Sequence, residues 1–146
     1  MKKVIVLLAV IWFSGCAATS VVTGPEKQFQ DATISVKEKR YKEAAAACNK
    51  IKTDAPDSPL AADALFEIAL INVHLDNPKR DYIQASRVFA EFVKRYPDNR
   101  RADEARTWIS VLKTVQELKK QNERLNESIE ELKQLDIRHE EKRKRK

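Results

Sequence analysis

An internal repeat with a period of 41 residues organises the middle of the chain. The segment starting at Tyr41, YKEAAAACNKIKTDAPDSPLAADALFEI, aligns without a gap with the segment starting at Tyr82, YIQASRVFAEFVKRYPDNRRADEARTWI. The matched positions include an alanine at Ala44 and Ala85 and a Pro-Asp pair in each copy. Self-similarity at a fixed period of this length is typical of folds in which helical or stranded units stack in a row. The repeat therefore predicts a stacked architecture.

Each copy of the repeat predicts a pair of helices. In the second copy, apolar residues recur every three or four positions, which places them on one helix face: Tyr82, Ala85, Val88, Phe89, Phe92 and Tyr96. Pro97 prevents that helix from continuing, and Asn99 is expected to cap the next one. In the first copy, Ser58 is expected to cap a helix over 60–75 that has Pro59 at its first position. That helix would place five side chains inward: Ala61, Ala64, Leu65, Ile68 and Leu75.

Composition favours helices along the whole chain. Only 2 Gly and 5 Pro occur among 146 residues, and 34% of the residues are charged, which does not suit a turn-rich β fold. No segment alternates apolar and polar residues with the period of a strand. Residues 26–38 supply one further helix, with Phe29, Ala32 and Val36 inward. The predicted fold class is therefore all-α, an α-solenoid of about five helices.

The repeat resembles the tetratricopeptide family. Ala85, Phe89 and Pro97 meet the family pattern A-x3-F followed by proline, and ALFEIALINVHLDN stands where the first helix of a pair stands, with Ala69 at its close-contact position. The second copy is similar to the periplasmic repeats of BamD-like barrel-assembly lipoproteins. The resemblance covers about 26–112 and implies a partner-binding groove lined by the first helix of each pair. It nominates four residues for that groove: Glu67, Ile71, Asn72 and Arg106.

The first fifteen residues are typical of an export signal. Lys2 and Lys3 precede an unbroken apolar run over 4–13. Spanning a bilayer takes about 20 apolar residues, so this run is too short for a transmembrane helix. Its length and its basic flank suit the apolar region of a secretory signal. Residues 1–15 are therefore predicted to be removed from the mature protein.

The end of this signal, FSGC, resembles the lipobox of bacterial lipoproteins, with Phe13 in place of the usual leucine. The resemblance implies cleavage between Gly15 and Cys16, a diacylglyceryl group on the Cys16 sulfur and an acyl chain on the new N-terminus. Two or more acyl chains anchor a protein stably where one is marginal. In these lipoproteins Ala17, rather than Asp, implies the outer membrane, facing the periplasm, with inner-membrane anchoring as the alternative. Residues 16–25 would form the lipidated N-terminus and tether.

The last third of the chain predicts one long helix. From Arg100 to His139 there is neither Gly nor Pro. Positions spaced by four and three residues give the a/d seam of a coiled coil: Val111, Val115, Leu118, Asn122, Leu125, Ile129 and Leu132. Asn122 falls at an a position, where a polar residue typically favours a parallel dimer in one register. Residues 113–137 are therefore predicted to form a coiled-coil helix and a homodimer, the alternative being an amphipathic helix that folds back on the repeats.

The chain ends in a basic tail over 138–146, RHEEKRKRK, with six basic and two acidic residues. Without this tail and the two lysines of the signal, 20 basic and 20 acidic residues remain, so the body is neutral. In an exported lipoprotein the tail would meet anionic lipid, cell-wall polymer or an acidic protein face rather than nucleic acid. A solvated, frayed tail is the alternative.

The sequence offers no group for catalysis, a metal or a cofactor. The two histidines, His74 and His139, have no zinc-like spacing to a cysteine, and 2 Gly cannot build a phosphate-binding loop. Cys48 is expected to be a small core residue. We therefore expect a non-catalytic scaffold for protein–protein interaction in envelope assembly. The alternative is a lipoprotein partner of a two-component sensor kinase, which the ending LKQLDIRHEEKRK resembles, or a coiled-coil spacer of the envelope.

Overall fold

The computed structural model describes residues 24–145. They form five helices: α1 (Gly24–Lys37), α2 (Tyr41–Asp54), α3 (Pro59–Val73), α4 (Tyr82–Arg95) and α5 (Ala102–Lys144). Within that span there is no strand, and the all-α prediction is confirmed. Each helix packs against the next one in sequence, and α1 also touches α3. The predicted signal, the lipidation site and most of the tether lie outside the described residues.

The helix boundaries follow the sequence repeat. α2 and α4 each have 14 residues, and they begin at the matched residues Tyr41 and Tyr82. Ser58 caps α3 as predicted, because its Oγ accepts the backbone N–H of Leu60 at 3.2 Å, and Pro59 occupies the first turn. Asp81 caps α4, since its Oδ1 accepts two backbone N–H groups at 2.9 Å. Short polar side chains at these positions satisfy donors that the first helical turn leaves free.

Four local predictions were wrong. Asn99 does not cap α5, because that helix begins after Arg101; its Oδ1 accepts the Arg101 N–H at 2.9 Å in the preceding turn instead. Leu75 does not face inward, because α3 ends at Val73 and the side chain is 77% exposed beyond it. The basic tail is not frayed at its start, since α5 continues through Lys144. At the other end, two residues expected in the tether, 24–25, already belong to α1.

An aromatic cluster holds α3, α4 and the start of α5 together. Phe66 is fully buried and meets Phe89 and Phe92 edge to face, with ring centroids 5.2 and 5.1 Å apart. The guanidinium of Arg101 lies 3.5 Å above the Phe66 ring centroid. Edge-to-face pairs and a cation over a ring add stabilisation beyond burial alone. Phe66 is missing from the predicted inward set because α3 is apolar on almost every side, so its periodicity does not select one face.

The distal part of α5 extends away from the body. Its last hydrogen bond to another helix runs from Gln116 Nε2 to the Tyr82 carbonyl oxygen at 3.3 Å. Beyond Gln116 the helix continues for roughly 40 Å at ~1.5 Å per residue. Nearly every residue of that stretch is exposed, so the alternative in which the helix folds back on the repeats is wrong. Among the helices of residues 24–145, none is both long enough and apolar enough to cross a bilayer.

Candidate binding groove

A cavity of about 280 Å³ opens between α1, α3 and α5, and we call it the odd-helix groove. It is lined by Val36 of α1, Trp108 of α5 and five residues in and just after α3: Glu67, Leu70, Ile71, Val73 and His74. Positions separated by three, four and seven residues share one face of a helix, which explains why α3 supplies most of the lining. The groove is therefore assembled from three helices that are separate in sequence.

The walls of the groove are apolar and held by the core. Ile71 is 3% exposed and packs on Tyr41 and Ala44 of α2. Trp108 stacks on the buried Phe89, with parallel rings whose centroids are 5.9 Å apart. Because these contacts fix the side chains in the free protein, the groove is formed before any ligand arrives.

Glu67 places a carboxylate in this apolar surrounding. Its side chain is partly buried, and no group of residues 24–145 gives it a hydrogen bond or ion pair. Within that span no fully buried side-chain oxygen lacks a partner, so the carboxylate keeps access to water. Burial raises the pKa of Glu67 above its usual value, while the charge of Arg101 acts in the opposite direction. Arg101 itself forms an ion pair with Glu104, whose oxygen lies 3.2 Å from its Nε. Glu67 therefore has positive charge nearby but no direct partner.

His74 is fixed at the edge of the groove. Its Nδ1 lies 2.9 Å from the Tyr41 hydroxyl oxygen and 3.3 Å from the backbone nitrogen of Asp76. The Asp76 N–H can only donate, so Nδ1 accepts and the ring proton resides on Nε2. The Tyr41 hydroxyl then donates to the same nitrogen. This arrangement leaves the Nε2–H of His74 as a donor.

The structure brings together only part of the predicted groove set. Glu67 and Ile71 line the cavity, whereas Asn72 and Arg106 do not. Asn72 supports the following loop instead, because its backbone carbonyl oxygen accepts the Asp81 N–H at 2.9 Å. Arg106 is exposed and pairs with Asp103, with Nη1 and Oδ1 2.5 Å apart.

Sequence reasoning missed five lining residues: Val36, Leu70, Val73, His74 and Trp108. One signal was present for Trp108, which is the repeat equivalent of Glu67, 41 residues further on. Leu70 and His74 could have been found from their positions three and seven residues after Glu67 on the same helix face. Val36 carries no such signal, because α1 does not share the register of the repeat.

The predicted coiled-coil seam forms a second exposed surface, on α5. Its apolar members are 36–65% exposed: Val111, Val115, Leu118, Leu125, Ile129 and Leu132. Asn122 is exposed as well, and its Oδ1 accepts a hydrogen bond from Asn126 Nδ2 at 3.0 Å. Trp108 stands seven residues before Val115, at the preceding a position. The seam therefore continues from the odd-helix groove along the helix.

Cys48 is a core residue, as expected. Its side chain is fully buried. Burial, with a smaller contribution from the charge of Glu67, raises the pKa of the Cys48 thiol to about 12. The reactive thiolate is therefore not formed near neutral pH. Over residues 24–145, no group of three or more His, Cys, Asp or Glu side chains could hold a metal ion.

Comparison with known proteins found no family model, curated protein or solved structure that matches the chain. The resemblance to tetratricopeptide repeats and to BamD-like lipoproteins stays a prediction that depends on the residues named above.

Proposed function

We propose that this chain is a membrane-anchored, non-catalytic scaffold that holds a partner protein by a basic side chain inserted in the odd-helix groove. The observation that carries the proposal is the carboxylate of Glu67, which lines an apolar cavity, is partly buried there and has no hydrogen-bond partner in residues 24–145. A carboxylate that is partly removed from water gains from a direct cationic partner, because its interaction with that charge is screened less than in bulk water. A cation from a partner would supply the missing contact.

A lysine or arginine side chain fits the shape and chemistry of the groove. These side chains carry an apolar stem and a charged head, so the stem can lie on carbon surface while the head is paired. Leu70, Val73 and Trp108 offer that carbon surface, and Glu67 offers the acceptor. The volume of about 280 Å³ is just below the ~300 Å³ lower limit typical of small-molecule sites, which suits one side chain.

The proposed anchor is lipid on Cys16, supported by the FSGC motif behind the basic, apolar leader. Acyl chains there would hold the protein at the outer membrane, facing the periplasm. The BamD-like resemblance of residues 26–112 supports a role in envelope assembly.

The exposed seam on α5 supports a second candidate function, in which the long helix and not the groove provides the binding surface. In that case the protein is a coiled-coil spacer of the envelope or the lipoprotein partner of a two-component sensor kinase. Truncation after Gln116 separates the two functions. A partner held by the groove stays bound to the truncated chain, whereas a partner of the helix is lost.

Tryptophan fluorescence tests the groove directly. In the full chain with Trp12→Phe, Trp108 is the remaining tryptophan, and it lines the groove. The probes are acetyl-Leu-Arg-Leu-amide and its citrulline counterpart, which has the same shape without the charge. We expect saturable changes in Trp108 emission with the arginine peptide at about tenfold lower concentration, because a hydrogen bond to a charged group contributes ~1.5–3 kcal/mol.

The matched variants assign that difference to one carboxylate. Glu67→Gln should abolish the preference for arginine over citrulline, whereas Glu43→Gln, an exposed carboxylate on α2, should preserve it. Equal titration of the two peptides by the parent chain would contradict the proposal. An unchanged arginine preference in Glu67→Gln would contradict it too.

A further inference from the structure

The distal part of α5 carries an apolar stripe that nothing in residues 24–145 covers. Leu118, Leu125 and Leu132 are 58%, 63% and 65% exposed, and nearly every residue beyond Gln116 is exposed. A solitary helix in water gains little from propensity alone, and most helical stability in proteins comes from packing an apolar face. The stripe is therefore the surface of α5 whose burial by a partner would stabilise the helix.

A partner helix can approach the stripe without displacing the body. Leu112 is 2% exposed and belongs to the core, whereas Val111 and Val115 are 47% and 36% exposed. Successive residues of a helix point roughly 100° apart. Val111 therefore lies on a different side of α5 from Leu112. Trp108, the preceding a position, stacks on Phe89 of α4, so the surface open to a partner helix begins at Val111.

The period of the stripe limits what can cover it. Spacings of four and three residues give a mean repeat of ~3.5 residues, which matches a left-handed supercoil with a helix of the same period. A second copy of this chain has that helix with the same length and the same seam. Pairing over 111–132 would bury on the order of 600 Å² per copy, so the total reaches the ~1,200 Å² lower limit of specific interfaces.

Asn122 distinguishes the two ways of pairing such copies. In a parallel, in-register pair the two Asn122 amides face each other in one layer. Each Oδ1 already accepts from Asn126 of its own chain, and each amide retains N–H groups for the opposite carbonyl oxygen. In the antiparallel pair that puts Leu132 opposite Val115, Asn122 would face Leu125 of the second copy and leave its amide unmatched. A single polar residue at an a position fixes register in this way.

The side chains that flank the seam are compatible with the parallel arrangement. In a parallel coiled coil each g position faces the e position five residues further along the other helix. The resulting pairs put Thr114 beside Lys119 and Ser128 beside Lys133 of the second copy. Gln121 would lie beside Asn126 of the second copy. No pair across 114–133 brings like charges together, so nothing there opposes the pairing.

We propose that α5 forms a parallel, in-register homodimer, in which a second copy of this chain covers the seam from Val111 to Leu132. The dimer carries both five-helix bodies at one end of the coiled coil and both basic tails at the other. Two odd-helix grooves on one dimer would also give a partner with two basic anchors a second, intramolecular binding step. The dimer itself does not depend on what the groove binds.

Disulfide trapping in the full chain in its membrane tests the register. Leu132→Cys should give a covalent dimer on mild oxidation, because a parallel pair brings the two 132 side chains face to face within disulfide reach. Gln134→Cys is the matched control, since that position points away from the seam and should stay monomeric. The parent chain, oxidised alongside, gives the background from Cys16 and Cys48.

A mixed experiment covers the other outcomes. Two chains of different mass, one with Leu132→Cys and one with Val115→Cys, should not join to each other. A mixed product would overturn the parallel register in favour of an antiparallel one. Monomeric Leu132→Cys together with no mixed product would overturn the dimer, and a covalent product with a protein of another mass would show that a different partner occupies the seam.

Discussion

At the scale of single residues, burial of the Glu67 carboxyl disfavours its ionised form relative to a carboxyl in water. Burial raises its pKa, and nearby positive charge offsets that effect only in part. The folded state therefore binds this proton more tightly than the unfolded chain does. By linkage, the stability that the group contributes is present at low pH and falls as pH rises from the ordinary value of 4.5 through the raised pKa.

We therefore expect Glu67→Gln to raise the thermal midpoint by a few degrees at pH 7, because the amide keeps the shape and removes the buried charge. Near pH 4 the parent carboxyl is protonated, so the difference between the two proteins should shrink. Thermal unfolding from pH 3.5 to pH 8 measures both effects, with Glu43→Gln as the exposed control. A loss of stability at pH 7 would mean that Glu67 has a stabilising partner after all. The same variant should weaken peptide binding, so stability and binding change in opposite directions.

Residues differ in how far sequence alone could place them. Cys48 was predicted correctly, because it occupies the position that Phe89 occupies in the other copy of the repeat. Leu75 was placed inward because helical spacing was extended past the end of α3. Val36 and Trp108 line the same cavity only because α1 and α5 approach the same side of α3. The packing of α1 and α5 beside α3 is tertiary structure, and the spacing of residues within one helix does not predict it.

At the scale of helices, boundaries are set by a few side-chain contacts that sequence predicts well. Ser58 and Asp81 each accept backbone N–H groups at a helix start, and α2 and α4 begin at equivalent tyrosines. The start of α5 was predicted less well. Arg101 precedes that helix without a side-chain cap, so the signal at Asn99 marked the turn rather than the helix.

Asp81→Ala should lower the free energy of unfolding by about 1 kcal/mol, because two N–H groups of the first turn of α4 lose their acceptor. Asp81→Asn keeps an oxygen acceptor at the same place and should stay close to the parent. Denaturant unfolding of both variants provides the measurement. If the asparagine variant loses as much stability as the alanine variant, the carboxylate acts through its charge and the capping interpretation is wrong.

At the scale of the whole molecule, the surfaces are arranged in order along the chain. The predicted lipid site at Cys16 precedes α1, the odd-helix groove lies in the five-helix body, and the seam follows on α5. Basic residues occupy the last turn of α5: Lys142, Arg143 and Lys144. Positive charge there interacts favourably with the negative end of the helix dipole, which helps the helix to persist into the tail. The order of these surfaces along the chain was predicted from the sequence. The cavity between α1, α3 and α5 is seen only in the folded residues 24–145.

The envelope placement depends on covalent lipid at one cysteine. Intact mass spectrometry of the full-length gene product, extracted with detergent from bacterial membranes, reports that modification. We expect a chain that lacks residues 1–15 and carries a diacylglyceryl group and an N-acyl chain on Cys16. Cys48→Ala should keep this mass increment, and Cys16→Ser should lose it. An unmodified Cys16, or a membrane-free chain that retains Met1, would contradict a lipid-anchored scaffold.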